Sequence, residues 1–417
     1  MSVFTNLSTQ CRRNLSILFI AGLLFWSSLA STLPTLPLYI GEIGGNSQQI
    51  GIVMGAFAIG LLSCRSWLAR LADSRGRKLV LLIGMSAVAF APLGYLVTAS
   101  MPMLIGVRAF HGISIAAFAL AYSALVIDLS PVDQRGELIG YMSLVNPLGL
   151  AIGPALGGFL HEWAGYTPAF SIAAVMGMLG LVFTSQVQEP RRPNSPESSK
   201  VTRQNYWLML FSPRIRTPAL VLFLIGMAFG TLSTFVPLLF KESNITLNVG
   251  LFYTAAAIAS FMTRLVAGRA SDRFGRGPFI SISLLLYAVA MVILWQAATP
   301  NAFLLAGFLE GAGAGVLIPM MAALMADRSN PDERGRTFSL CMVGFDIGIA
   351  LAGPLLGTIA TQTGYRYIFG VSAGLAFLGL LVFLTLSSKN LPYSFRFAIG
   401  RGRDVYAVKQ ISPVPEN

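Results

Sequence analysis

Charged side chains are scarce in this chain of 417 residues. Only 11% of its residues are Asp, Glu, Lys or Arg, whereas 55% are hydrophobic, and the mean hydropathy is +0.69. A soluble domain needs far more charge to cover its surface. The composition therefore excludes an ordinary soluble protein and indicates a chain that crosses the lipid bilayer many times.

Cysteine and histidine are also rare, with three and two residues. Cys11, Cys64 and Cys341 lack CxxC or metal-ligand spacing, and their odd number argues against a disulfide framework. The sequence shows no nucleophile–base pair, metal cluster or phosphate-binding loop. We therefore expect neither an enzyme nor a metal or cofactor site.

Long apolar runs fill most of the chain. A bilayer core of about 30 Å requires roughly 20 apolar residues per helix. Breaks rich in charge, Gly or Pro divide the chain into twelve runs of this size, six on each side of a polar stretch. The runs lie near residues 15–40, 48–71, 79–98, 102–127, 137–161, 166–188, 217–240, 248–270, 279–298, 302–327, 337–361 and 366–387.

The polar stretches divide the chain into four regions. We expect an N-terminal six-helix bundle at 1–188, a cytoplasmic linker at 189–216, a C-terminal six-helix bundle at 217–388 and a cytoplasmic tail at 389–417. The linker is rich in Pro, Ser and charge and cannot bury a core. The first run is long enough to span the membrane and eleven more follow it, so we expect an uncleaved helix rather than a signal peptide.

The basic residues lie mostly on one side of the expected membrane. The chain has 29 Lys and Arg against 17 Asp and Glu, a formal net charge of +12. Nearly all of the basic residues lie in or near the even-numbered loops, the linker and the termini, whereas a nucleic-acid-binding protein would collect them on one face or arm. The opposite loops hold only Lys241 and Arg366, and Arg108 lies within a span. Because basic residues are retained in the cytoplasm, we expect both termini to be cytoplasmic. Because the basic residues are not collected on one face or arm, we expect no nucleic-acid partner.

The second half of the chain repeats the first at an offset of 199 residues, or 200 after a one-residue slip. Many secondary transporters are built from internal repeats of this kind. The matched pairs include Asp73 and Asp272, Gly76 and Gly275, Arg77 and Arg276, Arg65 and Arg264, His111 and Glu310, Asp128 and Asp327, Asp133 and Asp332, Gly153 and Gly353, and Asn146 and Asp346.

Twelve spans in two repeated halves, with an Asp-x-x-Gly-Arg turn after the second span of each half, resemble the major facilitator superfamily. The resemblance covers nearly the whole chain. The first turn departs from the family pattern, because Ala69 stands where Gly is usual and Ser74 where Arg is usual. The resemblance implies an all-α polytopic membrane protein, with twelve transmembrane helices in two pseudo-symmetric halves, that carries a small-molecule substrate.

The repeated turns are called the gate turns below. A carboxylate at a helix end can accept hydrogen bonds from a neighbouring helix N-terminus and from guanidinium groups, which would hold one face of the protein shut. The alternative is that the charges are solvated and only fix topology. The predicted gating residues are Asp73, Gly76, Arg77, Asp272, Gly275 and Arg276.

The fifth span contains a glycine-rich segment that resembles the antiporter motif of the drug and metabolite efflux branches. Glycines four residues apart allow a neighbouring helix to approach closely, and a proline allows a bend. Close packing with a bend could seal a cavity against the leak of ions, so the segment favours export. The alternative is that these small residues serve only ordinary packing between helices. The residues are Gly149, Gly153, Pro154, Gly157 and Gly158.

Four titratable residues stand out in the interior of the expected spans, where each charge costs roughly 2.5 to 3.5 kcal/mol. Arg108 and His111, three residues apart in the fourth span, resemble the family's Arg-x-x-Gln-Gly motif with His in place of Gln. Glu310 is in the tenth span and Asp346 in the eleventh. All four are candidates for proton coupling, and each has a structural alternative as a hydrogen-bonded or ion-paired residue.

The resemblance implies that spans 1, 4, 7 and 10 line a central cavity. Arg108, His111 and Glu310 would then surround one water-filled space, with Glu310 carrying the proton and Arg108 biasing that step. His111 would share the proton or bind substrate. Trp26 and Tyr122, also on expected cavity helices, are weak candidates for substrate contact.

These observations favour a proton-coupled exporter of small amphipathic compounds. One alternative is a symporter that imports a sugar or an organic anion, which Arg108 and His111 would suit. Another is a non-transporting receptor or scaffold. The expected location is a prokaryotic cytoplasmic membrane, where the protein would act as a monomer with protons and a small-molecule substrate as partners.

Overall fold

The computed structural model of the protein describes residues 7–131, 134–189, 209–330 and 333–408. These residues form twelve helices long and apolar enough to span a membrane, as the sequence predicted. The helices are α1 (Thr9–Glu42), α2 (Ser47–Arg75), α3 (Arg77–Val97), α4 (Met101–Leu129), α5 (Arg135–Ala164), α6 (Tyr166–Ser185), α7 (Pro213–Glu242), α8 (Val249–Phe274), α9 (Arg276–Gln296), α10 (Pro300–Asp327), α11 (Arg334–Thr363) and α12 (Tyr365–Leu386).

Glycines in the left-handed region separate several of these helices at repeat-related positions. Gly76 (φ +98°) ends α2 and Gly275 (φ +86°) ends α8, so each gate turn reverses the chain within a single residue. Gly165 and Gly364, 199 residues apart, do the same after α5 and α11. A residue with a Cβ would be strained in this backbone conformation, which explains glycine at these sites.

Several helices extend further than the apolar runs predicted. The first begins at Thr9 rather than near residue 15, and α2 continues to Arg75. Long charged side chains can reach water from a helix end, so loss of hydrophobicity does not end a helix. Two spans are interrupted, α1 at residues 32–35 beside two prolines and α5 at residues 143–144.

The C-terminal tail contains a helix that the sequence did not predict. Residues Leu391–Ala398 form a further helix, α13, which packs against α9 and α12. Its Phe397 and Ala398 are buried. The segment is too short to span a membrane but strongly amphipathic, so its apolar residues can pack on the bundle. Asp133, Asp332, linker residues 190–208 and tail residues 409–417 lie outside the described residues.

The two halves meet at the end of the bundle that carries the short loops 98–100 and 297–299, the far end. The opposite end carries the gate turns and is called the basic end. At the far end the backbones of Gly51 in α2 and Gly353 in α11 touch. The Ser47 hydroxyl donates to the Tyr365 hydroxyl oxygen at 3.0 Å, also between the halves. The α5–α8 pair forms a second junction, where the Thr254 hydroxyl donates to the carbonyl oxygen of Ala151 at 3.0 Å.

Candidate functional site

Glu310 lies in the middle of α10 with only 4% of its surface exposed. Its carboxylate accepts a hydrogen bond of 2.6 Å from the hydroxyl of Tyr287 in α9. Tyr253 of α8 is also buried, and its hydroxyl has no hydrogen-bond partner among the described residues. Among the described residues, no Lys, Arg or His forms an ion pair with Glu310. The side chain is therefore a buried acid whose hydrogen-bond partner, among the described residues, is a neutral tyrosine hydroxyl.

The corresponding position of the N-terminal half is His111, which is fully buried in α4. The hydroxyl of Tyr95 in α3 lies 2.9 Å from its Nδ1, and the Nη1 of Arg108 lies 3.4 Å from the same atom. The Arg108 guanidinium also stacks over the ring of Phe57 in α2, 4.6 Å from its centroid. The cluster joins α2, α3 and α4 within one half.

Arg108, His111 and Glu310 were expected to surround one space, and the structure brings only the first two into contact with each other. Arg108 and His111 do lie together, but Glu310 belongs to a separate cluster within the other half. The reason is the orientation of the helices, because both residues point toward the third helix of their own half, α3 or α9. Sequence spacing places residues on one face of a helix but does not determine which neighbour that face contacts.

Asp346 of α11 pairs with a residue of the other half. The Nη1 of Arg65 in α2 lies 3.1 Å from its Oδ2, and the carboxylate side chain is 9% exposed. Because Arg65 lies close to the basic loop in the sequence, we did not predict its ion pair with Asp346. The available signal was the repeat, because Arg65 and Arg264 both fall inside predicted spans and a basic residue there requires a reason.

The repeat-related junction between α5 and α8 lacks such a pair. There Arg264 occupies the position of Arg65, and Asn146 the position of Asp346. The Nε of Arg264 is buried without a hydrogen-bond partner among the described residues. Of these two junctions, only the α2–α11 junction has an ion pair between the halves among the described residues.

The first gate turn is held by residues of its own half. Arg77 forms an ion pair with Asp128 at the end of α4. The Glu189 carboxylate accepts hydrogen bonds from the backbone N–H groups of Arg77 (2.8 Å) and Lys78 (3.0 Å) at the N-terminus of α3. Asp73 was the predicted latch, but it is exposed and forms no hydrogen bond or ion pair with the described part of the chain. Glu189 therefore occupies the helix end that we had expected Asp73 to cap.

The second gate turn has a different set of partners. Arg276 pairs with Asp272, one turn earlier in the chain, at 2.6 Å and with Asp327 of α10 at 3.4 Å. It also donates to the hydroxyl of Ser271 at 2.6 Å. Asp128 and Asp327, which the repeat matched, thus both serve as anchors for the arginine of their gate turn.

The glycine-rich segment of α5 packs on two helices. Gly149, Gly153 and Gly157 face residues 26–31 of α1, where a Cβ would strike the α1 backbone at the second and third positions. Gly158 instead faces α8 of the other half, at Asn248, and the carbonyl of Pro154 lies against Gly250. The segment therefore both builds the N-terminal half and closes the far end.

The two weak candidates for substrate contact belong to an aromatic cluster of α1 and α4. Phe118 stacks on Phe25 and on Tyr122, with ring centroids 4.0 and 4.6 Å apart, and meets the edge of Trp26. The Tyr122 hydroxyl donates to the carbonyl of Met142 at 3.1 Å. Trp26 is half-buried, whereas the Tyr122 side chain is buried and its hydroxyl already has a partner.

The Major Facilitator Superfamily model matches residues 18–264 and, again, residues 218–398. The chain belongs to the Major Facilitator Superfamily. The two overlapping matches agree with the internal repeat. The chain is therefore a multi-pass membrane transporter with a small-molecule substrate and not an enzyme. Among the described residues, no group of His, Cys, Asp and Glu could hold a metal ion.

Relatives within this superfamily include efflux proteins. The multi-drug resistance efflux pump PmrA homolog of Lactococcus lactis is 27% identical over 380 residues, which are 85% of this chain and 90% of the relative. The multidrug resistance protein MdtG of Salmonella choleraesuis is 27% identical over 377 residues, 87% and 92% of the two chains.

Solved structures of other transporters share the fold. The nucleoside transporter NupG superposes with a TM-score of 0.75 at 15% identity, over 89% of this chain and 98% of NupG. A bacterial homolog of the lysosomal transporter Spinster, solved in an inward-facing and unoccupied conformation, gives a TM-score of 0.72 at 16% identity, over 91% and 98% of the chains.

Proposed function

We propose that the chain is a proton-coupled exporter of small amphipathic compounds, either drugs or metabolites. The proposal depends above all on Glu310, a buried carboxylate without a cationic partner among the described residues. An uncompensated charge inside a membrane is costly, and the binding of a proton removes that cost. The names of the relatives, which are multidrug efflux proteins, support the cargo class.

Asp346 offers a way to connect protonation to movement. Its carboxylate joins α11 to α2 of the other half through Arg65. When Asp346 binds a proton, the attraction to Arg65 is lost and one connection between the halves weakens. We therefore assign Glu310 as the main proton carrier and Asp346 as the carrier whose protonation helps the halves to separate.

The orientation of the protein follows from its charge in this proposal. The basic end faces the cytoplasm, which places both termini inside the cytoplasmic membrane, and the contacts between halves at the far end correspond to an inward-facing conformation. The halves 1–188 and 217–388 rock about the substrate site as a monomer, with 189–216 as linker and 389–417 as tail. The two gate turns would close the basic end in the outward-facing conformation.

A second candidate function is import of an organic anion or a sugar with protons. The observation that favours it is Arg108, whose Nε is buried without a hydrogen-bond partner among the described residues. A free N–H of a guanidinium can bind a carboxylate. The nearby His111 and Tyr95 would add polar contacts to such a ligand.

The two functions can be distinguished in inverted membrane vesicles whose lumen has been acidified. A lipophilic cation, a neutral drug, a sugar and an organic acid are added in turn, and release of the proton gradient is followed. The experiment compares the wild type with Glu310→Gln. Glu162→Gln, the same change at an exposed carboxylate of the far end, is the matched control.

We expect an amphipathic drug to dissipate the gradient with the wild type and with Glu162→Gln but not with Glu310→Gln. Dissipation that persists in folded Glu310→Gln would remove this residue as the proton carrier. The other function would be established if, in vesicles of the opposite orientation, only the sugar or the organic acid dissipated the proton gradient. The protein would then import that compound together with protons.

A further inference from the structure

Helix α13 has a buried side and an exposed apolar side. Ser394, Phe397 and Ala398 are buried against the bundle. Leu391, Phe395 and Ile399, spaced four residues apart, form an apolar stripe whose side chains are 59%, 51% and 39% exposed. Four-residue spacing places them on one side of a helix. Because α13 follows α12 after only four residues, this stripe lies at the level where the bundle leaves the membrane.

The tail is firmly attached to the C-terminal half. Arg328, at the end of α10, is fully buried and donates to both carboxylate oxygens of Asp404, at 2.6 and 3.0 Å. The same guanidinium donates to the backbone carbonyls of Arg214 and Ser387. A bidentate pair of this kind fixes geometry, so residues 391–404 are a constant part of the basic end.

A pocket of about 610 Å³ is lined by residues of both the tail and the second gate turn. Its acidic residues already have partners, because Asp272 and Asp327 pair with Arg276 and Asp404 pairs with Arg328. Three arginines that line it, Arg273, Arg401 and Arg403, have no carboxylate partner in the described ranges. The uncompensated charge of the pocket is therefore positive.

Two further exposed cations, Lys389 and Arg396, lie on the tail, Lys389 just before α13 and Arg396 within it. Neither forms an ion pair within the described part of the chain. Clusters of four or more basic residues directly beside a transmembrane helix or on an amphipathic helix attract anionic lipid headgroups. An amphipathic helix with an exposed apolar side adds contact with acyl chains.

We propose that residues 389–403, together with Arg273, form a binding surface for anionic phospholipids of the adjacent leaflet. The lipid phosphate lies at the arginines that line the pocket, and the acyl chains lie along the stripe of Leu391, Phe395 and Ile399. This surface is separate from the transported substrate, and it connects the charge of the leaflet to the segment that covers the second gate turn.

Lipid binding to purified full-length protein tests the proposal. Native mass spectrometry measures the retention of phosphatidylglycerol and phosphatidylcholine in three forms of the protein. At roughly fivefold in affinity per basic residue, loss of three charges should weaken phosphatidylglycerol binding about a hundredfold. The tail variant is Arg396→Gln/Arg401→Gln/Arg403→Gln, and the matched control removes three exposed charges from the other half, Arg12→Gln/Arg13→Gln/Arg70→Gln.

The wild type and the control should retain phosphatidylglycerol in preference to phosphatidylcholine, and the tail variant should not. Equal retention by all three forms, or no lipid preference in the wild type, would overturn the proposal. If the tail variant does not fold, the lysine version at the same three positions replaces it in a salt titration. Its binding must then weaken with salt as that of the wild type does, and salt-insensitive binding would contradict an electrostatic surface.

A second measurement locates the helix relative to the bilayer. Nitroxide labels at Phe395→Cys and Tyr393→Cys, in protein whose three native cysteines are replaced by alanine, report collision with oxygen or with an aqueous nickel chelate in phosphatidylglycerol vesicles. The label at 395 should collide mainly with oxygen, and the label at 393, on the other flank, mainly with nickel. A fully aqueous label at 395 would show that the stripe does not contact lipid.

Discussion

The fourth helix of each half carries a buried polar residue at the same position of the repeat, but the two residues differ in chemistry. His111 and Glu310 are 199 residues apart, and each forms a hydrogen bond with a tyrosine of the third helix of its half. His111 also has Arg108 as a neighbour, whereas Glu310 has no cation. The two halves thus share a scaffold for burying a polar group, and only the C-terminal half presents an acid there.

The basic ends of the two halves differ in a similar way. One carboxylate, Glu189, covers the N-terminal gate turn through two backbone N–H groups. The C-terminal gate turn is covered by an entire tail, which the buried pair of Arg328 and Asp404 attaches. The gate turn is therefore covered by a single carboxylate in the N-terminal half and by a folded segment in the C-terminal half.

The largest expected effect tests the tail. Asp404→Ala removes the only carboxylate that pairs with the fully buried Arg328 among the described residues, and an uncompensated buried charge costs about 3 kcal/mol. We expect the free energy of unfolding, measured by detergent denaturation in mixed micelles, to fall by about that amount. Asp73→Ala, at an exposed residue without a partner in the described chain, should leave it nearly unchanged. A loss below about 1 kcal/mol would mean that water replaces Asp404.

The second prediction contrasts the two buried polar residues. Glu310→Gln should slow proton-driven efflux about a hundredfold, equivalent to about 2.7 kcal/mol, because the amide cannot carry the proton. His111→Gln should slow it by about tenfold or less, since a glutamine can still accept the Tyr95 hydrogen bond. Initial efflux rates in vesicles measure both. Equal losses would show that the halves do not divide the work in this way.

The third prediction concerns the ion pair between Arg65 of α2 and Asp346 of α11. Arg65→Gln and Asp346→Asn should each shift the population away from this conformation about fivefold, with a coupling of roughly 1 kcal/mol between them in a double-mutant cycle. Distances between spin labels at the basic ends of the two halves report the population. Arg264→Gln, at the repeat-related position without an acid, should show no coupling to Asp346→Asn.

The fold was predictable because the lengths of the hydrophobic runs and the internal repeat can both be read directly from the sequence. Twelve spans in two halves, the gate turns and the glycine-rich segment all followed from composition and spacing. The bounds of α1 and α2 were less accurate, since charged residues continue a helix at the membrane surface. The helix in the tail was missed because α13 has only 8 residues, far fewer than the run of apolar residues by which the spans were recognised.

The partners of the buried charges were not predictable to the same degree. Sequence selected Glu310, Asp346, Arg108 and His111, because charge in a membrane is rare and conspicuous. It could not phase the helices, so it did not predict that Glu310 accepts a hydrogen bond from Tyr287. It also assigned Arg65 to a loop and so missed the pair with Asp346, which depends on how two distant helices cross.

The smallest expected effect tests the cover of the first gate turn. Glu189→Gln keeps the size of the side chain but removes the charge that faces the N-terminus of α3. Because a charge at a helix end contributes about 0.5 kcal/mol, the free energy of unfolding should fall by that modest amount, and high salt should reduce the difference between the variant and the wild type. Detergent denaturation at two salt concentrations measures both. A loss as large as that of Asp404→Ala would mean that the N-terminal half depends on one carboxylate as strongly as the C-terminal half depends on its tail.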